Sequence, residues 1–322
     1  MSAEQQPRES NLSTVLGGPA ILAGLLLLVS IAGAQNTVAT VDVANLISTA
    51  QQNGEKMSPR VFDYSWKSKT VVRNYKKSRL ASETEQDHEA YPAPGLTYVA
   101  KKLVKENGLP LSAKRAAKEE QRLNRELMVA EVQQAMSATA TTDPGKETGC
   151  PPFGIWTVLT GPGGKETSLG ISDFLCLSTF FAPRSERRDG RETIVLFFRP
   201  RENYEKSVPE KTPFAKLVGA IWIDAEDKVV SHIEAWPTDN PETFNNTLPA
   251  GPAPIVFDDM RLPDGMWVRR FRYVDTRNNP LAFNGLNMEW KQEFSGYQRY
   301  STESKDYTIT APKPEDKNPL NP

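Results

Sequence analysis

Gly219-Ala-Ile-Trp-Ile-Asp-Ala-Glu-Asp-Lys-Val-Val-Ser-His-Ile-Glu-Ala-Trp236 is the stretch on which the reading of the fold turns. Two runs rich in β-branched and aromatic residues enclose Ala225-Glu-Asp-Lys228, the pattern of an antiparallel hairpin. Just upstream, Ile194-Val-Leu-Phe-Phe198 is continuously apolar, which predicts a strand covered on both faces. Arg188-Asp-Gly-Arg191 before it supplies a second hairpin turn. Downstream, Pro263-Asp-Gly265 separates strands predicted over Pro254–Met260 and Met266–Val274. Leu286, Met288, Trp290 and Phe294 then alternate with Asn287, Glu289, Lys291 and Glu293, one apolar face and one wet face.

Working outward toward the N-terminus, Phe62, Tyr64, Trp66, Thr70 and Val72 alternate with polar residues in the same way. Further strands are predicted over Leu80–Tyr91 and Leu96–Val104, the latter turned by Glu106-Asn-Gly108. Val43, Leu46, Ile47 and Ala50 fall on one helical face, so residues 41 to 53 read as a short helix ended by Gly54. Ala113–Met136 reads as a charged helix with Ser112 as cap and only a narrow apolar stripe. Residues 137–152 read as a linker, after which the chain from Phe153 returns to β-rich sequence; Pro213–Val218 reads as a short helix. Nine to eleven strands result, a mainly β (α+β) chain built on one large antiparallel sheet curled around a cavity. The expected organisation is a signal peptide over 1–34, one domain over 35–310 carrying the inserted helix 113–136, and a loose tail over 311–322.

Ala20-Ile-Leu-Ala-Gly-Leu-Leu-Leu-Leu-Val-Ser-Ile31 with Ala32-Gly-Ala34 has the apolar length and small-residue cleavage site of a secretory signal. The alternative is an uncleaved anchor, because residues 16–34 are just long enough to span a hydrocarbon core about 30 Å thick. Either takes the chain out of the cytoplasm, free once cleaved or held to the membrane by that segment alone. Removal of residues 1–34 takes Arg8, Glu4 and Glu9 from totals of 39 basic and 40 acidic residues, leaving 38 of each. A neutral domain without a basic face lacks the electrostatic footprint of a nucleic-acid binder. Cys150 and Cys176 are the only cysteines. In an oxidising compartment they would close a loop of about 25 residues, contributing about 3 kcal/mol; alternatively Cys176, within Ile171–Leu177, is a buried thiol acting as a small hydrophobe.

The scarce reactive residues form no catalytic constellation. His88 and His232 have no ligand at metal spacing and read as ordinary strand residues. Gly161-Pro-Gly-Gly-Lys165 lacks the first glycine of a phosphate loop and is followed by Glu166 rather than Ser or Thr. Asp224, Glu226 and Asp227, like Asp258 and Asp259, read as solvated turn formers. The expectation is therefore a chain with no catalytic residues, no metal site and no cofactor. What remains is aromatic: Phe62, Tyr64, Trp66, Trp222, Trp267, Phe271 and Trp290 are the candidate apolar lining of a concave face. A concave apolar surface binds ligands, and each buried methylene of an acyl chain contributes about 0.8 kcal/mol. The alternative is that these side chains are plain core.

Phe62-Asp-Tyr-Ser-Trp66, Lys102-Leu-Val-Lys-Glu-Asn-Gly-Leu-Pro-Leu-Ser112 before the charged helix, Asp189-Gly190, Leu196-Phe-Phe-Arg-Pro200, Gly219–Asp224 and Val229–Glu234 together resemble a known group. These are the envelope proteins related to outer-membrane lipoprotein-sorting proteins, the LolA and LolB superfamily, in their acidobacterial-type forms. The resemblance spans about residues 41 to 300. It implies an unclosed half-barrel with helices on the concave side and a periplasmic protein that handles a lipid or a lipoprotein acyl chain, or that engages an envelope protein. The motifs are turns and strands, so no ligand contact carries over. The chain is also longer than a true carrier and holds the extra charged helix.

Overall fold

In the computed structural model the described residues are 41–93, 98–139, 157–160, 166–202, 216–277 and 287–299, all within one compact unit, Val38–Pro322. The hairpin quoted first forms as expected, from β9 (Leu217–Asp224) and β10 (Val230–Pro237). Its turn is fixed by Asp224, whose carboxylate accepts the Glu226 and Asp227 amides at 3.1 and 2.7 Å, and Lys228 takes a φ of 51°. Gly219 pairs with Ala235, and a Cβ there would stand 2.0 Å from the Glu234 carbonyl oxygen, so only glycine allows this approach.

Eleven antiparallel strands make one open sheet among the described residues. Its order is β4 (Leu109–Pro110), β3 (Val99–Glu106), β2 (Arg79–Pro92), β1 (Tyr64–Lys76), β13 (Met288–Arg299), β12 (Trp267–Asp275), β11 (Ile255–Arg261), β10, β9, β8 (Arg191–Pro200) and β7 (Ser178–Arg188). The first and last strands do not meet, so the sheet is an unclosed half-barrel. A separate two-stranded ribbon pairs β5 (Thr157–Thr160) with β6 (Glu166–Leu169). Turn chemistry sets the hairpins: Asp189 and Gly190, and Asn107 and Gly108, have positive φ, as a tight two-residue turn requires.

The continuous run in β8 is covered on both faces, for the reason its sequence suggests. Leu196 and Phe198 join Ile221, Ile223, Ile233, Ile255 and Phe257 in the main core, against Leu46 and Ala50 of α1 (Val43–Met57) and Phe174 and Leu175 of α3 (Ile171–Leu177). Val195 and Phe197 point the other way, onto Ala220, Trp222, Phe244 and Leu248. The sheet thus has a helix face and a helix-free face.

Several local expectations fail. Gly54 does not end α1, which runs on to Met57; Asn53 ties it down by donating to the Asp227 carbonyl at 2.9 Å, and tertiary contact outweighs the roughly 1 kcal/mol helix cost of a glycine. Phe62 is not a strand residue: Pro59 directs Ser58–Asp63 into a 3-10 turn, and the strand starts at Tyr64. Ile171–Leu177, within sequence read as β-rich, is helical because the Asp173 carboxylate accepts the Gly170 amide at 2.8 Å and starts a turn. Leu217 and Val218 open β9 rather than close a helix.

The charged helix is α2 (Ala113–Thr139), with the Ser112 hydroxyl accepting the Arg115 amide at 3.4 Å. It guards a sheet edge. The Leu103 amide of β3 donates to Glu119 at 2.8 Å, and Arg122 donates to the Lys101 carbonyl at 2.6 Å. Side chains of a helix replace the strand that would otherwise pair there, which blunts an aggregation-prone edge.

Candidate functional site

The helix face is unevenly covered. Over β7 to β11, α1 and α3 fill it with apolar side chains, Phe174 meeting Phe198 and Phe257 edge-on at 5.4 and 5.8 Å. At the far edge, α2 covers β3 through Leu123 and Glu119. Between these lies a strip over β12, β13, β1 and β2 lined by Trp66, Ala90 and Phe294, with Val61, Val99 and Tyr297 packed beside them. Trp66 and Tyr297 stack at 5.8 Å. Beside the strip, beneath α1 and the 3-10 turn, a cavity of about 90 Å3 is lined by Ala50, Met57, Val61, Met266, Val268, Asp259, Arg269 and Arg272.

A bulge puts the charges there. The register of β11 against β12 shifts between Asp258 and Asp259, so Phe257 faces Arg272 and Asp259 faces Arg269 on the helix face, while Asp258 faces Phe271 on the other. Without the bulge, strict alternation would place Arg270 and Arg272 together. Arg272 is buried and pairs with Asp259, also donating to the Asp258 carbonyl at 2.8 Å. The Arg269 guanidinium lies 5.6 Å from the centre of the Phe294 ring. Burial, and then the charge of Arg272, lower its pKa to about 10. The Lys101 ammonium is lowered to about 8 by burial and then by Arg269. Lys101 is nonetheless exposed at its surface. Burial likewise raises the Tyr297 phenol, and His88, near Lys101 and Glu119, is lowered by burial.

The helix-free face has a different chemistry. Asp258 accepts from His232 Nδ1 at 2.8 Å, Arg188 at 3.0 Å and Arg270 at 2.5 Å, and His232 Nε2 meets Glu234 at 3.1 Å. Although burial opposes it, these donors hold the Asp258 carboxyl well below the ordinary carboxylate range. This network floors a cavity of about 830 Å3 that also takes in Lys67, Lys69, Asp87, Glu89, Lys105 and Glu293. Its charges are largely paired with one another, Lys69 with Glu85 at 2.8 Å and Arg270 with Asp189 at 2.9 Å, and Val104, Val256 and Phe271 add apolar surface between them. His232 is therefore a buried bridge and not an ordinary strand residue, and Asp258 is a buried acceptor and not a solvated turn former. The same correction applies to Asp224, which is fully buried and held by Arg191 at 2.6 and 2.9 Å. Asp227 accepts from Arg261 at 2.7 Å and Trp267 Nε1 at 2.8 Å.

The aromatic lining expected from sequence is thus divided. Trp66 lines the strip. Trp267 borders the small cavity, and Trp290 packs against the main core. Tyr64 is core, buried against Met266 and Val268 with its hydroxyl donating to Asp264. Phe62 sits in the 3-10 turn. Trp222 and Phe271 lie on the helix-free face and cannot line a helix-face trough; Trp222 meets His232 edge-on at 4.9 Å, and Phe271 stacks on Tyr273 at 6.3 Å. Alternation fixes this: Ile221 and Ile223 take the helix face, so Trp222 takes the other. Arg269, Lys101 and Tyr297 were not singled out from sequence. The only signal was the density of arginine in Trp267-Val-Arg-Arg-Phe-Arg272, and it does not say which arginine faces which side. Cys176 lies in α3 and is not a free thiol. Cys150, Gly161–Lys165 and the segment 1–34 lie outside the described residues.

Among the described residues no group of His, Cys, Asp and Glu side chains could hold a metal ion, and no helix is long and apolar enough to cross a membrane. No protein-family profile and no curated protein sequence matches the chain. Solved structures do. A domain described as an outer membrane lipoprotein-sorting protein from Vibrio parahaemolyticus is 8% identical over 78% of this chain and 92% of its own, with a TM-score of 0.32. A DUF1329 family protein from Desulfovibrio piger ATCC 29098 is 8% identical over 80% of this chain and 93% of its own, at 0.34. MucB in complex with MucA(peri) is 8% identical over 81% of this chain and all of its own (100%), at 0.22. The lipoprotein-sorting resemblance read in the sequence reappears among these structures, as a likeness of architecture.

Proposed function

We propose that this chain is a periplasmic protein of the bacterial envelope that binds or carries a lipid, or the acyl part of a lipoprotein, on the helix face of its half-barrel. The observation that supports the reading is the unclosed sheet with α1 and α3 over one face and, beneath α1, a cavity of about 90 Å3 walled by Ala50, Met57, Val61, Met266 and Val268. A cavity of that size takes the end of an acyl chain and not its whole length. Export rests on the signal-like segment ending at Ala34; if that segment is not cleaved, residues 16–34 anchor the same domain to the inner membrane. A disulfide between Cys150 and Cys176 belongs to the same proposal. The reading assigns no catalytic step. Organic-solvent extraction of natively purified protein, followed by mass spectrometry, is expected to recover a stoichiometric lipid, and a fluorescent fatty-acid probe is expected to be displaced by it. Repeated absence of lipid together with no probe binding would refute the proposal.

A second reading, a non-enzymatic interaction or regulatory protein, is favoured by α2. Met128, Val129 and Val132 are 54 to 64% exposed along its second half, an unusual apolar stripe for a solvated helix. Pull-down with and without residues 113–136 tests it: recovery of the same envelope proteins by both forms excludes this helix as the contact.

A further inference from the structure

The two sides of α2 divide its charges unequally. The side toward the sheet holds the helix in place: Leu123 is buried, Glu119 accepts the Leu103 amide, and Arg122 reaches the Lys101 carbonyl. Three of the four glutamates of the helix are engaged in that docking. Glu119 and Glu126 pair with Arg122 at 2.6 and 2.5 Å, and Glu120 pairs with Lys102 at 3.5 Å. At 3.6 residues per turn, Lys114, Lys118, Arg125, Met128, Val129 and Val132 share the opposite face, and all six are exposed. Lys114, Lys118 and Arg125 make no ion pair among the described residues; Arg125 donates to the Gln121 carbonyl at 3.3 Å. Glu131, the fourth glutamate, is exposed beside this face, three residues on from Met128, rather than on it.

The face is about 27 Å long from Lys114 to Val132, at about 1.5 Å per residue. Its first half is basic and its second half apolar, with Met128, Val129 and Val132 at 54 to 64% exposed. A second copy of the chain fits this division poorly. In an antiparallel pair the cations of each copy would lose water against the apolar half of the other, and in a parallel pair cations would meet cations. An anionic lipid surface fits both halves, since headgroups meet Lys and Arg while apolar side chains enter the boundary with the acyl chains. We propose that the solvent face of α2 docks the domain on an anionic membrane, with Lys114, Lys118 and Arg125 at the headgroups and Met128, Val129 and Val132 below them. This is a membrane contact separate from the segment 1–34, and it does not depend on a lipid being carried inside the half-barrel.

The test is sedimentation of the full-length protein with vesicles of phosphatidylglycerol or of phosphatidylcholine. At low salt, retention on phosphatidylglycerol is expected to exceed that on phosphatidylcholine on the order of a hundredfold, about fivefold for each of the three cations. Added salt is expected to shrink the preference. Lys114→Gln, Lys118→Gln and Arg125→Gln together are expected to erase it at an unchanged melting temperature. Met128→Ser with Val132→Ser is expected to weaken binding to both vesicles by about tenfold while the preference stays. The readout is a preference between headgroups, so an apolar N-terminal segment that enters either vesicle does not imitate it. Equal retention on the two lipids by the unmodified protein would overturn the proposal. A preference that survives the triple substitution would overturn the assignment to α2. Absence of vesicle binding, together with capture of an acidic envelope protein that the triple substitution abolishes, would make the face a protein contact instead.

Discussion

Two ends of one sheet face bury apolar surface by different means. Over β8 to β11, Phe174, Leu175, Leu46 and Ala50 descend from two helices onto Leu196, Phe198 and Ile233, and the core residues are 0 to 6% exposed. Over β12, β13 and β1, Trp66 and Phe294 are buried as deeply, at 3 and 7% exposed, but they are covered by Val61 of the 3-10 turn, Val99 and Tyr297 rather than by α1 or α3. Strand composition does not distinguish the two ends. Helix supply does: one end is closed by the short helix α3 and the docked half of α1, while α2 is spent on the exposed edge of β3. The same sheet face is thus closed by helices at one end and by strand and turn side chains at the other.

The contrast can be broken at its sealed end first. Phe174→Ala is expected to cost about 3 to 5 kcal/mol in urea unfolding, the range for emptying an aromatic site that packs from all sides. Arg269→Gln, on the same face of the same sheet, is expected to cost less than about 0.5 kcal/mol. Comparable losses from the two substitutions would show that Arg269 is held by the fold as tightly as the apolar core.

The helix-free face offers the next largest effect. Asp258→Ala is expected to destabilise by about 3 kcal/mol, because it strands His232, Arg188 and Arg270 around a buried gap. The folded Asp258 titrates below its unfolded value, so its contribution is present above about pH 4 and is lost as the pH falls further. Asp258→Asn should accordingly flatten the acid side of the stability profile.

Asp173 has the opposite sign. Burial raises its carboxyl from 3.8 to about 7, against the pull of the Gly170 amide. The folded state therefore holds the proton more tightly, and stability is expected to fall as the pH rises from about 4 to about 7. Equilibrium unfolding of Asp173→Asn at several pH values should remove that slope, since the amide side chain still accepts the Gly170 N–H. An unchanged slope would place the titration elsewhere. The smallest effect is expected on α2, where Met128→Ser and Val132→Ser should change stability by less than about 0.5 kcal/mol, as they remove no buried contact. A larger loss would mean that the stripe is covered.

Much of this architecture was legible before any coordinates. Alternation marked β1 and β13, the β-rich runs around Ala225–Lys228 marked the β9–β10 hairpin, the pairs Asn107-Gly108 and Asp189-Gly190 marked turns, and the unbroken Ile194–Phe198 run announced a strand dressed on both sides. These are short-range signals: the backbone allows few conformations, and side-chain period and glycine placement select among them. Which face each aromatic takes was not legible: Trp66 lies on the helix face and Trp222 and Phe271 on the other, and an aromatic residue reads the same on either side of a sheet.

Sequence by itself determined that this chain forms one large antiparallel sheet with a capped charged helix, since period, turns and caps act within a few residues. Tertiary structure alone decided which side each charge faces. One residue of slippage between Asp258 and Asp259 sends Arg269 to the helix face and Arg270 to the other, and joins His232 to an aspartate 26 positions away. A register shift inverts every side chain beyond it, and register is a property of two strands together, which neither strand's sequence contains.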